Sequence, residues 1–155
     1  MTIRTERLIL RPFFKNDIEW YYEMVEDKEF RKRLPGLAAD GVEEAKWNMK
    51  IFTKCDFTND FYYVITDKEC NAMGIIVAVR VTKMIIDVSY FLNKEYRHNG
   101  YMQEALKKFI TEARSCNPMY RFRMIVAPDN IASLKVLRSC NAQIEVRPEK
   151  YVCYL

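Results

Sequence analysis

The spacing of apolar residues changes period several times along the chain, and each change marks an element. "ERLILRPF" (6–13) reads as a first strand. Pro12, which has no N–H to give a ladder, marks an edge or a strand end. Asn16 or Asp17 caps a helix predicted to run to about Arg33, where "RLPG" (33–36) breaks it. Asp40 caps a second helix, with Glu43 and Glu44 in its favourable first turn and Val42, Ala45, Met49 and Phe52 on its apolar side. The period then shortens. "FYYVIT" (61–66), "AMGIIVAVRV" (72–81) and "MIIDVSYFL" (84–92) are rich in β-branched and aromatic residues, and "DKECN" and "TK" join them. That pattern predicts an antiparallel meander. In its third strand Ile86, Val88, Tyr90 and Leu92 share one face, and Asp87, Ser89 and Phe91 share the other.

The period lengthens again at Tyr101. Met102, Ala105, Leu106, Phe109, Ile110 and Ala113 fall on one stripe of a helix over 101–115, with Glu104 and Lys108 as an i,i+4 pair outside it. "YRFRMIVA" (120–127) is a further strand. A last helix follows over about 131–140, with Asn141 where a left-handed C′ residue is wanted, and a hairpin of "QIEV" and "KYVCYL" ends the sequence. Strand 84–92, helix 101–115 and strand 120–127 form a βαβ unit, so those two strands are expected to be parallel with a right-handed crossover. The fold class is therefore α+β: a mixed, mostly antiparallel sheet with a central parallel pair (84–92 and 120–127), about four helices, and one domain over 1–155.

"RHNG" (97–100) stands where that strand gives way to the helix. The first N–H groups of a helix have no intrahelical partner, and the macrodipole adds roughly 1–2 kcal/mol for a well-placed anion. Gly100 lets backbone approach a phosphate without a Cβ in the way, and Arg97 offers a fork of donors. An ordinary helix-entry loop is the alternative. The spacing fits neither a Walker A loop nor a dinucleotide fingerprint.

Composition narrows the chemistry. Half of the residues are hydrophobic and 14% aromatic, a globular balance. No apolar run approaches a membrane span, and the first residues lack a signal-peptide core, so a cytoplasmic location is expected. The net charge of +4 is too small and too scattered for a nucleic-acid groove. One histidine and five cysteines without a C-x-x-C pair speak against a zinc site and against His-dependent nucleophilic catalysis; reduced, mostly buried thiols are expected.

Three stretches, in order, then carry a resemblance: "TERLILRPF", "DVSYFLNKEYRHNGYMQEAL" and "NIASLKVLRSCNAQ" (130–143). Together they resemble the GNAT superfamily of N-acetyltransferases, in its RimJ/RimL-like branch, over nearly the whole chain. The resemblance implies acetyl-CoA as co-substrate. It places the pyrophosphate on Arg97, His98, Asn99, Gly100, Tyr101 and Met102. Pantetheine lies along Tyr90, Phe91 and Leu92, and Asn130 and Ser133 approach from the last helix. Five positions depart from the family pattern: Ser89, Met102, Asn141, Ala142, and Leu137 where many members carry a tyrosine used as general acid.

Within the resemblance, Asp87 is the first choice of general base and Ser133 of general acid. Asp87 is alternatively a plain strand aspartate or a partner of Arg80, Ser133 a helix-orienting residue, and His98 a solvated loop residue. The Trp20-Tyr21-Tyr22 cluster with Trp47 packs the first two helices or lines the acceptor pocket. The expected reaction is direct attack of a primary amine, on a protein N-terminus or small molecule, on the thioester in a ternary complex. A homodimer is compatible with the aromatic-rich sequence, and no nucleic-acid or membrane partner is expected. The alternatives are a GNAT-fold module that binds acyl-CoA without turnover and, more weakly, a basic nucleic-acid domain.

Overall fold

A computed structural model describes residues 1–55, 58 and 60–155. Among these residues eight strands form one sheet: β1 (Ile3–Arg4), β2 (Ile9–Pro12), β3 (Phe61–Thr66), β4 (Ala72–Arg80), β5 (Ile85–Leu92), β6 (Arg121–Val126), β7 (Gln143–Arg147) and β8 (Lys150–Tyr154). Their order is β1-β2-β3-β4-β5-β6-β8-β7. Every neighbouring pair is antiparallel except β5 and β6, which run parallel. The meander and the predicted parallel pair are both present. The first predicted strand is two short ones, turned by Thr5, whose hydroxyl oxygen accepts from Leu8 N–H at 2.8 Å.

Among the described residues five α-helices cover the two faces: α1 (Ile18–Glu26), α2 (Lys28–Arg33), α3 (Val42–Phe52), α4 (Tyr101–Cys116) and α5 (Ile131–Ser139). The helix expected to run to Arg33 is interrupted. Asp27 leaves helical geometry (φ −62°, ψ 128°), and its carboxylate accepts from Phe30 N–H, so a new helix starts there. Hydrophobic periodicity continues across this break, which is why a single helix was expected. Gly41 rather than Asp40 occupies the N-cap of α3. Asn141 does close α5 with φ 60°, the left-handed conformation that asparagine tolerates.

The side-chain alternation of β5 divides the core in two. Ile86, Val88 and Leu92 pack with the predicted stripe of α4 and with Leu134 and Leu137 of α5. Phe91 points to the opposite face, among Tyr21, Met24 and Val25 of α1, Phe30 of α2, and Ala45, Met49 and Phe52 of α3. Trp20 and Tyr22 pack at that second core's margin, whereas Trp47 is 61% exposed and joins neither. Glu104 is not paired with Lys108; it turns to Arg7, and Lys108 pairs with Glu112 instead. Among the described residues Cys70, Cys116, Cys140 and Cys153 are free thiols, but Cys70 and Cys116 are exposed, so burial is less general than expected. Among the described residues no helix is long and apolar enough to cross a membrane.

Candidate active site

The parallel pair is short. β5 and β6 match only over Ile85–Asp87 and Arg121–Arg123. Beyond that point β6 turns to β8, pairing from Arg123 to Val126. Residues 88–92 of β5 therefore keep β4 on one side and, among the described residues, have no strand on the other. At the apex of this opening Arg123 donates to both oxygens of Asp87, at 2.6 and 2.8 Å. That hydrogen bond, with the charge behind it, holds the Arg123 guanidinium above its ordinary value. The ion pair pins the sheet where it splits.

A cleft of about 540 Å³ runs from this opening to the N-terminus of α4. Its far end is the "RHNG" loop. His98 (φ 65°) and Gly100 (φ 74°) take left-handed conformations, and backbone of alternating hand forms an anion-binding concavity. Gly100 is the N-cap of α4, and among the described residues no side chain caps the helix. The first helical bond is Glu104 N–H to the Gly100 carbonyl at 3.1 Å, so Tyr101, Met102 and Gln103 carry the orphan N–H groups. A Cβ on Gly100 would meet only Arg7 Nη2, at 3.6 Å, so its constraint is backbone conformation rather than space.

Arg7 braces this loop from β1–β2. Its Nη1 donates to the Asn99 carbonyl at 3.0 Å, its Nε to Glu104 at 2.7 Å, and its guanidinium lies 4.6 Å over the Tyr101 ring. Burial pushes Glu104 up, but hydrogen bonds from Thr5 and Arg7 outweigh it, and the net shift is below the usual carboxylate value. Arg97 folds back to the end of β5, where Nε donates to the Leu92 carbonyl at 2.9 Å and the guanidinium stacks 4.8 Å from the Phe91 ring.

The α5 wall of the cleft carries hydroxyls. Asn130 caps α5, its side chain accepting from Ser133 N–H at 3.1 Å. That fixes Ser133 in the first turn, where its Oγ lies 2.6 Å from Tyr90 Oη. Burial pushes the Tyr90 hydroxyl well above the ordinary tyrosine value, against a smaller lowering by the Ser133 bond. The opposite mouth is built by α2. Glu29 and Arg33 line the cleft, paired at 2.7 Å. Arg33 and Lys32 also hold Asp129, just before α5, at 2.5 and 2.7 Å. These two bonds drop the Asp129 carboxyl to about 2. Phe30 of α2 meets Phe91 edge-on at 5.0 Å.

Of the expected site residues, Tyr90, Phe91, Leu92, Arg97, His98, Gly100, Tyr101, Met102, Asn130 and Ser133 line this cleft together. Asn99 does not; its side chain donates to the Arg97 carbonyl at 2.9 Å and so shapes the loop from within. Asp87 does not line the cleft either. It faces Arg123 rather than Arg80, with both carboxylate oxygens engaged, so the geometry gives it a structural task at the point where the sheet splits. Met102 is 6% exposed and packs in the α4 core, and Leu137 is fully buried in the same core. Sequence reasoning missed Glu29, Arg33, Tyr96 and Lys135 in the lining and Arg7 behind it. Glu29 and Arg33 stand at i,i+4 spacing on α2, which carries no sequence signal of a cleft wall. Arg7 gives no local signal, because its partners lie more than ninety positions away.

Comparison with known proteins agrees with this geometry. Residues 7–143 match the acetyltransferase (GNAT) domain family. An uncharacterized N-acetyltransferase of Bacillus subtilis (strain 168), YnaD, is 24% identical over 146 residues, covering 94% of this chain and 84% of YnaD. The crystal structure of a GNAT-family acetyltransferase from Bacillus anthracis matches with a TM-score of 0.86 at 19% identity, over 100% of this chain and 98% of that one. RimL, a ribosomal L7/L12 alpha-N-protein acetyltransferase solved with coenzyme A, gives 0.84 at 17% identity, over 99% and 96%. At such identities these two likenesses speak for the fold alone. With a family match across most of its length and a split sheet facing an uncapped helix, the chain belongs to the GNAT acetyltransferase family.

Proposed function

We propose that this protein transfers the acetyl group of acetyl-CoA to a primary amine, on a protein N-terminus or a small molecule, by direct attack in a ternary complex. The observation that carries the reading is the cleft itself, which joins an unpaired strand edge to an uncapped helix N-terminus. Residues 88–92 offer backbone to an extended pantetheine arm as a neighbouring strand would. The loop of 97–100 and the orphan N–H groups of Tyr101–Gln103 suit a diphosphate. Among the described lining residues, the one carboxylate, Glu29, is paired with Arg33, which leaves Arg97 and Lys135 as positive charge that favours an anionic donor.

In the transfer, the amine nitrogen bonds to the acetyl carbonyl carbon, the carbon–sulfur bond breaks, and sulfur takes a proton. Ser133, in the positive first turn of α5, serves the departing sulfur. The amine enters from the α1–α3 face, past Glu29, whose carboxylate suits a cation. Among the described lining residues Glu29 is paired with Arg33 and His98 belongs to the loop assigned to the diphosphate, so neither is given the role of base, and this shapes the acceptor. Freeing an α-amine at pH 7 costs about 1 kcal/mol, whereas a lysine amine costs about 4–5 kcal/mol. A weakly equipped site therefore takes low-pKa amines. RimL, whose acceptor is by its own name a protein α-amine, is consistent with that choice.

The test is thiol release from acetyl-CoA with a panel of N-terminal peptides, polyamines and lysine derivatives. Release is expected with α-amines ahead of lysine side chains. Coenzyme A binding by calorimetry without release for any amine returns the binding-module reading, and no binding at all refutes the site.

A further inference from the structure

The buried Leu137 removes the tyrosine that many related enzymes carry on the last helix, yet the cleft still holds a tyrosine hydroxyl next to α5. It comes from the sheet. Tyr90 leaves β5 on the α4–α5 face and reaches Ser133 Oγ at 2.6 Å, with the Ser133 carbonyl 3.5 Å away. Ser133 is itself fixed at the third helical position by the Asn130 cap. Two hydroxyls at this distance share one hydrogen, and the more acidic of them is the better donor. A phenol is more acidic than an alkyl hydroxyl. Tyr90 therefore donates to Ser133, and the hydrogen of Ser133 is left to point elsewhere. Ser133 lines the cleft, so the cleft is the direction open to that hydrogen.

We propose that Tyr90 is a positioning residue for acetyl transfer: by donating its hydrogen to Ser133 Oγ, it aims the Ser133 hydroxyl into the cleft at the departing sulfur of the thioester. The inference rests on the acetyltransferase reading above. The step balances simply. The carbon–sulfur bond breaks, the Ser133 O–H stabilises the thiolate by a hydrogen bond, and the proton lost by the attacking amine, passed through solvent, ends on the sulfur. Tyr90 stays a neutral phenol throughout. Its hydroxyl is pushed up by burial, which suits a group that donates a hydrogen bond without giving up its proton. The strand thus supplies, from the opposite wall, an orienting contact to the helix residue that meets the sulfur.

Steady-state kinetics of the wild type, Y90F, S133A and the double variant test this, with coenzyme A affinity and thermal midpoint measured alongside. Y90F is expected to lower kcat about 5–20-fold, the range for losing one aligned hydrogen bond in a transition state. KM for acetyl-CoA and the calorimetric coenzyme A affinity stay within about twofold, since the hydroxyl acts on the leaving group rather than on ground-state binding. In the double variant the losses do not multiply, because Tyr90 works only through Ser133. Wild-type kcat in Y90F overturns the inference, as do losses that multiply. A rise in KM with unchanged kcat also overturns it, since that would make Tyr90 a wall of the pantetheine channel only. If the wild type releases no thiol with any amine, the parent reading fails, and the inference falls with it for that separate reason. S133T, which keeps the hydroxyl, is expected to recover part of the turnover that S133A loses, and no recovery counts against an aimed hydroxyl.

Discussion

Gly74 offers the sharpest test of how the strand edge is positioned. It sits in β4 opposite Leu92 of β5. A Cβ there would stand 2.1 Å from the Phe91 carbonyl oxygen and 2.9 Å from Leu92 Cα, where ordinary contact begins at 3.4 Å. The nearest obstacle is backbone, which cannot rotate aside. G74A must move β5 away from β4 by about an ångström, the difference between 2.1 Å and ordinary contact. Overpacking of this kind costs about 1–3 kcal/mol, and a backbone clash belongs at the upper end. For a chain of this size that lowers the thermal midpoint by about 6–10 °C. The displaced residues are the ones offered to the donor, and a misplacement of about 1 Å in a reacting geometry costs about 100-fold in turnover. Thermal denaturation followed by circular dichroism, and thiol-release kinetics, measure the two effects. G36A is the control, since a Cβ at Gly36 meets nothing within 4 Å. A G74A protein with wild-type midpoint and wild-type kcat/KM would refute the claim that close β4–β5 approach sets the cleft.

Four further outcomes are expected. G100A fits sterically but holds alanine at φ 74°, so it costs about 1 kcal/mol of stability and weakens coenzyme A binding about fivefold by calorimetry. E29Q raises KM for a cationic amine several-fold and leaves KM for acetyl-CoA unchanged; equal effects on both would remove Glu29 from the acceptor side. D87N lowers stability by about 1–2 kcal/mol, because Arg123 loses its charged partner, and kcat falls less than about threefold; a loss of about 1,000-fold would instead make Asp87 the base. The Asp129 carboxyl, depressed from 3.8 to about 2 in the folded protein, lends stability above about pH 4 that is lost as pH falls through about 2. Carboxyl NMR titration of the wild type and of R33A checks it, the variant showing a value nearer 3.8.

What the sequence made legible follows from the range of the interactions involved. The period of α4, the alternation in β5 and the Gly100 turn are local, and each is in place. The parallel pair was readable because a helix separates its strands, and a crossover of that kind has essentially one hand. The break at Asp27 was hidden, since apolar spacing runs through it and only an Asp followed by Phe30 at cap distance marks it. The partners of Asp87 and Glu104 were misjudged for a different reason. In each case a nearby opposite charge was plausible, but the sheet register brings Arg123 opposite Asp87, and the return of β1–β2 brings Arg7 to Glu104. Long-range pairing of charges leaves no periodic trace. Glu29 and Arg33 became part of a wall only once α2 was known to end beside Asp129.

A sheet ordinarily bares its backbone at two borders, and natural proteins guard those borders against strangers. Here a third border lies inside the sheet, between β5 and β6. It is fenced by α4 and α5 on one face and by α1 to α3 on the other, and it tapers shut at the Asp87–Arg123 rivet. A whole foreign strand cannot zip into a wedge that narrows to nothing, so the slot is closed to amyloid-like addition while open to a thin, flexible thread. Its width is set by where β6 leans on β8, so residues in the terminal hairpin, remote from any chemistry, govern the gauge of what is admitted.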